Sequence, residues 1–189
     1  LEVLRDSMQP SKISKIYPIL ARWPVPVFLT TNYDDQIQTH LAKVGESYIT
    51  YLNSEDHFGN LDSESDGAIV KIHGDLRSEN GLILTQSQYS AISEGGEWLY
   101  WRTRMTSIFQ SERIIIVGHS LTDPNMRHVL SAAKLGAGVK RPVCWIAPDV
   151  KPDKIREFLE KYRIRVISYD NADGSHNGLV RLLQTVDRF

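Results

Sequence analysis

The stretch Val25-Pro26-Val27-Phe28-Leu29-Thr30-Thr31-Asn32-Tyr33-Asp34-Asp35 decides how the chain is read. Val27, Phe28 and Leu29 form a short apolar run that stops at Thr30-Thr31-Asn32. Ile37, Leu41 and Val44 then recur at helical spacing. A buried strand, a polar turn and a helix, in that order, make the ligand-facing edge of an open α/β sheet, where the carboxyl end of the strand borders a crevice. The plainer reading is a strand end, with Asp34 or Asp35 starting the helix. One such turn does not choose between the two.

Upstream, Leu4, Met8, Ile13, Ile16, Tyr17, Ile19 and Leu20 predict one or two short helices, broken at Pro10 and interrupted at Pro18. Pro24 and Pro26 force an extended approach to the strand. Downstream, Gly45 ends a helix over 36–44, and Tyr48-Ile49-Thr50-Tyr51 predicts a second strand. Residues 53–67 are acidic and Ser-rich with little to bury, which predicts an exposed loop. Ala68-Ile69-Val70-Lys71-Ile72 is a third strand, ending at His73-Gly74-Asp75.

Thr85 and Gln88 have the spacing of a capping box, so a helix begins there. A long helix with a broad apolar face is predicted over 95–110, carrying Trp98, Leu99, Trp101, Met105, Ile108 and Phe109. Ile114-Ile115-Ile116-Val117 is continuous and β-branched, which predicts a strand buried on both faces. It ends at Gly118-His119-Ser120, and Asp123-Pro124 cap and open a helix to about Leu135. Strands over 143–146 and 164–167 and helices over 152–161 and 177–186 continue the alternation. Strand-helix alternation of this kind predicts an α/β fold, Rossmann-like, with a mainly parallel sheet and helices on both faces.

At 189 residues the chain is one domain, or most of one. Its 22 Lys plus Arg against 23 Asp plus Glu give a net charge of -1, and the basic residues form no dense stripe, so no direct nucleic-acid binding is expected. No apolar run has the length of a membrane span. The single cysteine, Cys144, lies in an apolar run and reads as a packed core thiol, and one cysteine excludes a disulfide framework and any multi-cysteine zinc site. A cytoplasmic location is expected. The chain opens on Leu1 rather than Met, which predicts a fragment of a longer polypeptide.

Three apolar strands thus end in three polar turns, and in a parallel sheet such ends lie on one side. Asn32, His73 and Ser120 are therefore candidates for a common cleft. Taken together, Thr-Thr-Asn-Tyr-Asp (Thr30 to Asp34), His73-Gly74 and Gly118-His119-Ser120 resemble the sirtuin-like family, whose Thr-Gln-Asn-Ile-Asp, His-Gly and Gly-Thr-Ser turns follow in the same order. The spellings Thr-Thr-Asn-Tyr-Asp and Gly-His-Ser-Leu-Thr-Asp-Pro-Asn are closer to the prokaryotic branch found in anti-phage defence proteins than to protein deacylases. The motifs span about Val25 to Val129.

Two departures shape what the resemblance implies. Deacylase sirtuins carry a zinc module with two Cys-x-x-Cys pairs between the last two turns, and residues 74–117 hold no cysteine, so neither the module nor a metal is expected. The family also opens with a first strand and a Gly-Ala-Gly phosphate loop, which nothing from Leu1 to Arg22 matches. Either that strand and loop precede Leu1, the expectation that the opening Leu favours, or the protein lacks them and binds the dinucleotide poorly.

The resemblance implies NAD as substrate and cleavage of its nicotinamide–ribose bond. Asn32 and His73 would be catalytic, the carboxamide positioning a ribose hydroxyl or the attacking water and the imidazole acting as general base. Thr31, Asp34, Gly118, His119 and Ser120 would contact the dinucleotide. Asp34 would meet the nicotinamide amide, with a helix cap as an equal alternative, and His119 serves equally as a packed side chain. The tips Ala147-Pro148-Asp149 and Tyr169-Asp170-Asn171 would border the adenine. An NAD hydrolase of anti-phage defence is the leading reading. Its alternative is a non-catalytic module sensing NAD or ADP-ribose, with deacylase or ADP-ribosyltransferase activity behind both. Further domains or partner subunits of a defence system are expected partners, and a homo-oligomer is left open.

Overall fold

In the computed structural model the described residues are 14–54, 67–78, 81–135 and 143–186. They divide into two compact units, one running to Gln88 and rejoined by the end of the last helix from Leu183, the other covering Tyr89–Leu182. The chain is α/β, with two three-stranded parallel sheets flanked by helices, consistent with the expected Rossmann-like class.

The first unit holds α1 (Tyr17–Leu20), β1 (Val27–Thr30), α2 (Gln36–Lys43), β2 (Ile49–Leu52) and β3 (Ala68–Lys71). Pro18 does not interrupt α1; it stands in the first turn, where its missing N–H has no intrahelical acceptor to lose. The strand order is β1-β3-β2, so the strand latest in sequence is central, and all four of its residues are buried. Val27, Phe28, Leu29 and Thr30 register with Ala68, Ile69, Val70 and Lys71. Ala21, Ile37, Leu41 and Ile69 form a core against which Tyr17, Phe28 and Tyr48 pack.

Within the predicted exposed loop, residues 55–66 lie outside the described residues, as do 1–13. Both ends of that loop are buried, and Asn53 has a structural reason to be. Its Nδ2 donates to the carbonyls of Ile72 (3.0 Å) and Gly81 (2.9 Å), fastening the end of β3 to the segment after it.

α3 (Gln86–Glu94) opens with the reciprocal capping box expected from Thr85 and Gln88. The Gln88 N–H donates to Thr85 Oγ1 (3.3 Å) and the Thr85 N–H to Gln88 Oε1 (2.9 Å). Thr85→Ala should cost α3 about 1 kcal/mol, read as faster amide exchange in its first turn.

The second unit continues with a 3-10 turn (Gly96–Trp98), α4 (Leu99–Ser111), β4 (Ile114–Val117), α5 (Pro124–Leu135), β5 (Val143–Pro148), α6 (Pro152–Tyr162), β6 (Ile164–Tyr169) and α7 (Asn177–Val186). The predicted helix over 95–110 therefore starts with a tighter turn, and Trp101, Met105 and Phe109, four residues apart, form its buried stripe while Leu99 is 60% exposed. β4 is not buried on both faces: only Ile116 is, and Ile115 is 51% exposed. The physical reason is its edge place in the order β4-β5-β6, with a partner strand on one flank only among the described residues. Cys144, at the registered partner of Ile115, is half-buried rather than a core thiol. No helix among the described residues is long and apolar enough to cross a membrane.

Candidate functional site

The ends of β1 and β3 are adjacent because the strands pair directly. Thr30 registers with Lys71, and the Ile72 N–H continues the ladder to the Thr30 carbonyl (2.9 Å). Asn32 and His73 each follow that registered pair by two residues, so two of the predicted residues leave neighbouring strands at the same level.

Lys71 ties these turns together. It is 0% exposed, yet its ammonium has a partner for each of its three donors: the carbonyls of Tyr33 (2.9 Å) and Asp34 and the Asp75 carboxylate (2.9 Å). Those carbonyls belong to the turn after Asn32, and Asp75 belongs to the turn after His73. Burial pushes the Asp75 carboxyl up. Hydrogen bonds from Lys71 and from the Arg77 amide and guanidinium, with the Lys71 charge, outweigh that and hold it below the ordinary carboxylate range.

The His73 turn is clamped from the other side. The Ile83 N–H donates to the His73 carbonyl (3.1 Å), and the Tyr33 hydroxyl donates to the Ile83 carbonyl (2.5 Å). Gly74 has φ +88°, and a Cβ there would come within 2.5 Å of the Gly81 carbonyl oxygen. Only glycine fits, which gives the His-Gly pairing its reason. His73 is 5% exposed and its ring centroid lies 6.4 Å from that of Tyr33.

Asn32 is exposed; its N–H donates to Thr30 Oγ1 (3.1 Å) and its Nδ2 to the Tyr17 hydroxyl (2.5 Å). Thr31 lies between them, half-buried. Asp34 is not the helix cap offered as its alternative role: the N-cap of α2 is Asp35, with no side-chain cap bond, and Asp34 Oδ1 accepts from the Gln36 N–H two residues on (2.9 Å).

Gly118, His119 and Ser120 belong to the second unit. Gly118 has φ +69° and Leu121 φ +55°, so the turn after β4 reverses sharply and buries Leu121 completely. His119 is used locally: Nδ1 accepts from the Leu121 N–H (2.9 Å) and its carbonyl accepts from Trp145 Nε1 (2.8 Å). Ser120 is exposed and shares a hydrogen bond with Thr122 (2.7 Å). Asp123 caps α5 as expected, accepting from the Asn125 N–H (2.8 Å). The two predicted strand tips do come together, since the Asn171 N–H donates to Asp149 Oδ1 (3.0 Å) and the Asp149 N–H to the Tyr169 carbonyl (2.9 Å).

Lys71, Asp75 and Tyr17 carry more of this geometry than their sequence positions suggested. Asp75 stood in the quoted turn, whereas Lys71 read as a strand residue and Tyr17 as one apolar position of a helix. Among the described residues no group of three or more His, Cys, Asp or Glu is placed to hold a metal ion.

A family profile described as SIR2-like domain matches residues 26–167. The chain is similar to the protein named NAD(+) hydrolase ThsA of Cytobacillus dafuensis, 25% identical over 136 residues, which are 72% of this chain and 27% of that protein. The protein of the same name from Bacillus cereus (strain MSX-D12) is 25% identical over 167 residues, 86% of this chain and 34% of that one. Defense-associated sirtuin 2 of Bacillus subtilis is 30% identical over 135 residues, 68% of this chain and 13% of that protein. The chain thus spans between 13% and 34% of the length of these relatives.

Proposed function

The chain belongs to the SIR2-like domain family, and on that footing we propose that it hydrolyses NAD to nicotinamide and ADP-ribose as an effector of anti-phage defence. One observation carries the reading: Asn32 and His73 leave adjacent parallel strands at the same level, through turns held by a shared buried lysine. The printed names of the relatives, NAD(+) hydrolase and defense-associated sirtuin, point the same way.

The chemistry asks little of the protein. Nicotinamide in NAD is already cationic, so it departs with the bonding electron pair as a neutral molecule and needs no acid. The ribosyl centre left behind is oxocarbenium-like, as in glycoside hydrolysis. The Asn32 carboxamide would position a ribose hydroxyl or the water, and the His73 imidazole would take the proton as the water oxygen bonds to the anomeric carbon. Thr31 would contact the dinucleotide and Asp34 its nicotinamide amide. With no cysteine from Gly74 to Val117, the chain has no zinc module of the deacylase kind, and water rather than an acyl-lysine is the acceptor.

Asn32→Ala and His73→Ala in the full-length protein should each lower NAD consumption by about a hundredfold or more. The readout is nicotinamide release without any acetylated peptide. Near-normal turnover in both variants would reject the assignment. The burial of His73 favours a second reading, in which the domain binds NAD or ADP-ribose without turnover. NAD binding by calorimetry, with no nicotinamide released under any activating condition, would establish it.

A further inference from the structure

Tyr17 is positioned by hydrophobic packing and uses its polar end on the candidate catalytic residue. Its ring is half-buried against the core of Ala21, Ile37, Leu41 and Ile69. The His40 ring lies 6.3 Å away, centroid to centroid. The segment leading into α1 is also tied to α2, because the Ser14 N–H donates to Gln36 Oε1 (3.0 Å). The phenol is therefore fixed by two helices and a strand. Its hydroxyl receives the Asn32 Nδ2 donor at 2.5 Å, across 15 residues of sequence.

An exposed asparagine otherwise has free rotation about its side-chain bonds, and holding it costs conformational entropy. With Nδ2 committed to Tyr17 and the backbone N–H to Thr30 Oγ1, the carboxamide is anchored on one side and its Oδ1 is left to accept. An amide acceptor held in place is what a water or a ribose hydroxyl needs for alignment.

We infer that Tyr17 is a positioning residue for the NAD-cleaving reaction, holding the Asn32 carboxamide in the orientation in which it engages the sugar or the water. This rests on the catalytic reading of Asn32. Burial, and after it the negative charge of Asp34, push the Tyr17 phenol above its ordinary range against the opposing pull of the Asn32 hydrogen bond. The phenol thus stays protonated and neutral through the physiological range.

The test is Tyr17→Phe in the full-length protein, which keeps the ring in the core and removes only the oxygen. The expected result is a kcat lower by about tenfold to a hundredfold, with KM for NAD and the melting temperature close to wild type. In an Asn32→Ala background the same change should alter the residual rate by less than about twofold, because there is no carboxamide left to orient. An inactive Asn32→Ala enzyme alongside a fully active Tyr17→Phe enzyme would overturn this inference alone. So would a rate loss matched by a fall in melting temperature, which would make Tyr17 a packing residue. Wild-type turnover by Asn32→Ala would remove the catalytic reading and this inference with it.

Discussion

Lys71→Ala is expected to lower the unfolding free energy by about 3–5 kcal/mol, a melting-temperature drop of roughly 10 °C for a domain of this size. The lysine is 0% exposed, and all three ammonium donors are used, on the Tyr33 and Asp34 carbonyls and on Asp75. Truncation removes the lysine donor from both carbonyls, of which that of Tyr33 keeps the Leu76 N–H (3.3 Å), and leaves a buried carboxylate that still has the backbone and guanidinium of Arg77, itself largely exposed. The loss of partners, rather than the ion pair's own net worth, is what makes the change expensive. NAD consumption should fall as well, since the carbonyls released belong to the turn that carries Asn32. A melting temperature within about 2 °C of wild type would show that the lysine organises nothing.

The same pair sets an acid limit. The Asp75 pKa lies below its unfolded value, so its contribution is fully present above the unfolded value of about 4 and is lost as pH falls through the folded one. Wild-type stability should therefore drop in strong acid, with part of that drop absent in Asp75→Asn. Near neutrality this group contributes no pH dependence.

What the sequence exposed and what it hid follow from range. Caps and turns are written within four residues, so the Thr85–Gln88 box and the Asp123 cap could be read directly and are present. β4 ends where its apolar run stops, and β1 and β3 end at Thr30 and Lys71, the latter one residue short of the expected Ile72. That β1 and β3 run parallel followed from strand-helix alternation, although the crossing that makes β3 central has no local signature. Lys71 was hidden because a lysine after three apolar residues ordinarily marks a strand leaving the core; its acceptors are backbone carbonyls 38 and 37 residues away, which no side-chain pattern announces. Tyr17 was hidden because helical spacing reports its ring and not its hydroxyl. Asn53 sat in polar composition that argues for exposure, while its amide holds two backbone carbonyls. Ile115 failed in the opposite direction, since a β-branched run reports strand propensity and not the strand's place at an edge.

Gly74→Ala should be strongly damaging, and comparison with Gly45→Ala separates its two causes. Both positions have similar positive φ, +88° and +86°, so the left-handed backbone strain of a side chain is common to them and costs about 1–2 kcal/mol. They differ in surroundings. A Cβ at Gly45 meets nothing within 4 Å, whereas one at Gly74 would sit 2.5 Å from the Gly81 carbonyl oxygen and 2.9 Å from the Leu82 nitrogen. Those atoms are backbone held in place by the Asn53 amide and by the Ile83–His73 hydrogen bond, so relief must come from displacing the turn itself. Gly74→Ala should accordingly exceed Gly45→Ala by about 2 kcal/mol in chemical denaturation. It should also carry a loss of NAD consumption that Gly45→Ala lacks, because the displaced turn bears His73. Equal destabilisation by the two variants would mean that the close approach of the two backbone segments does not hold in solution, and that the His73 turn is free to shift.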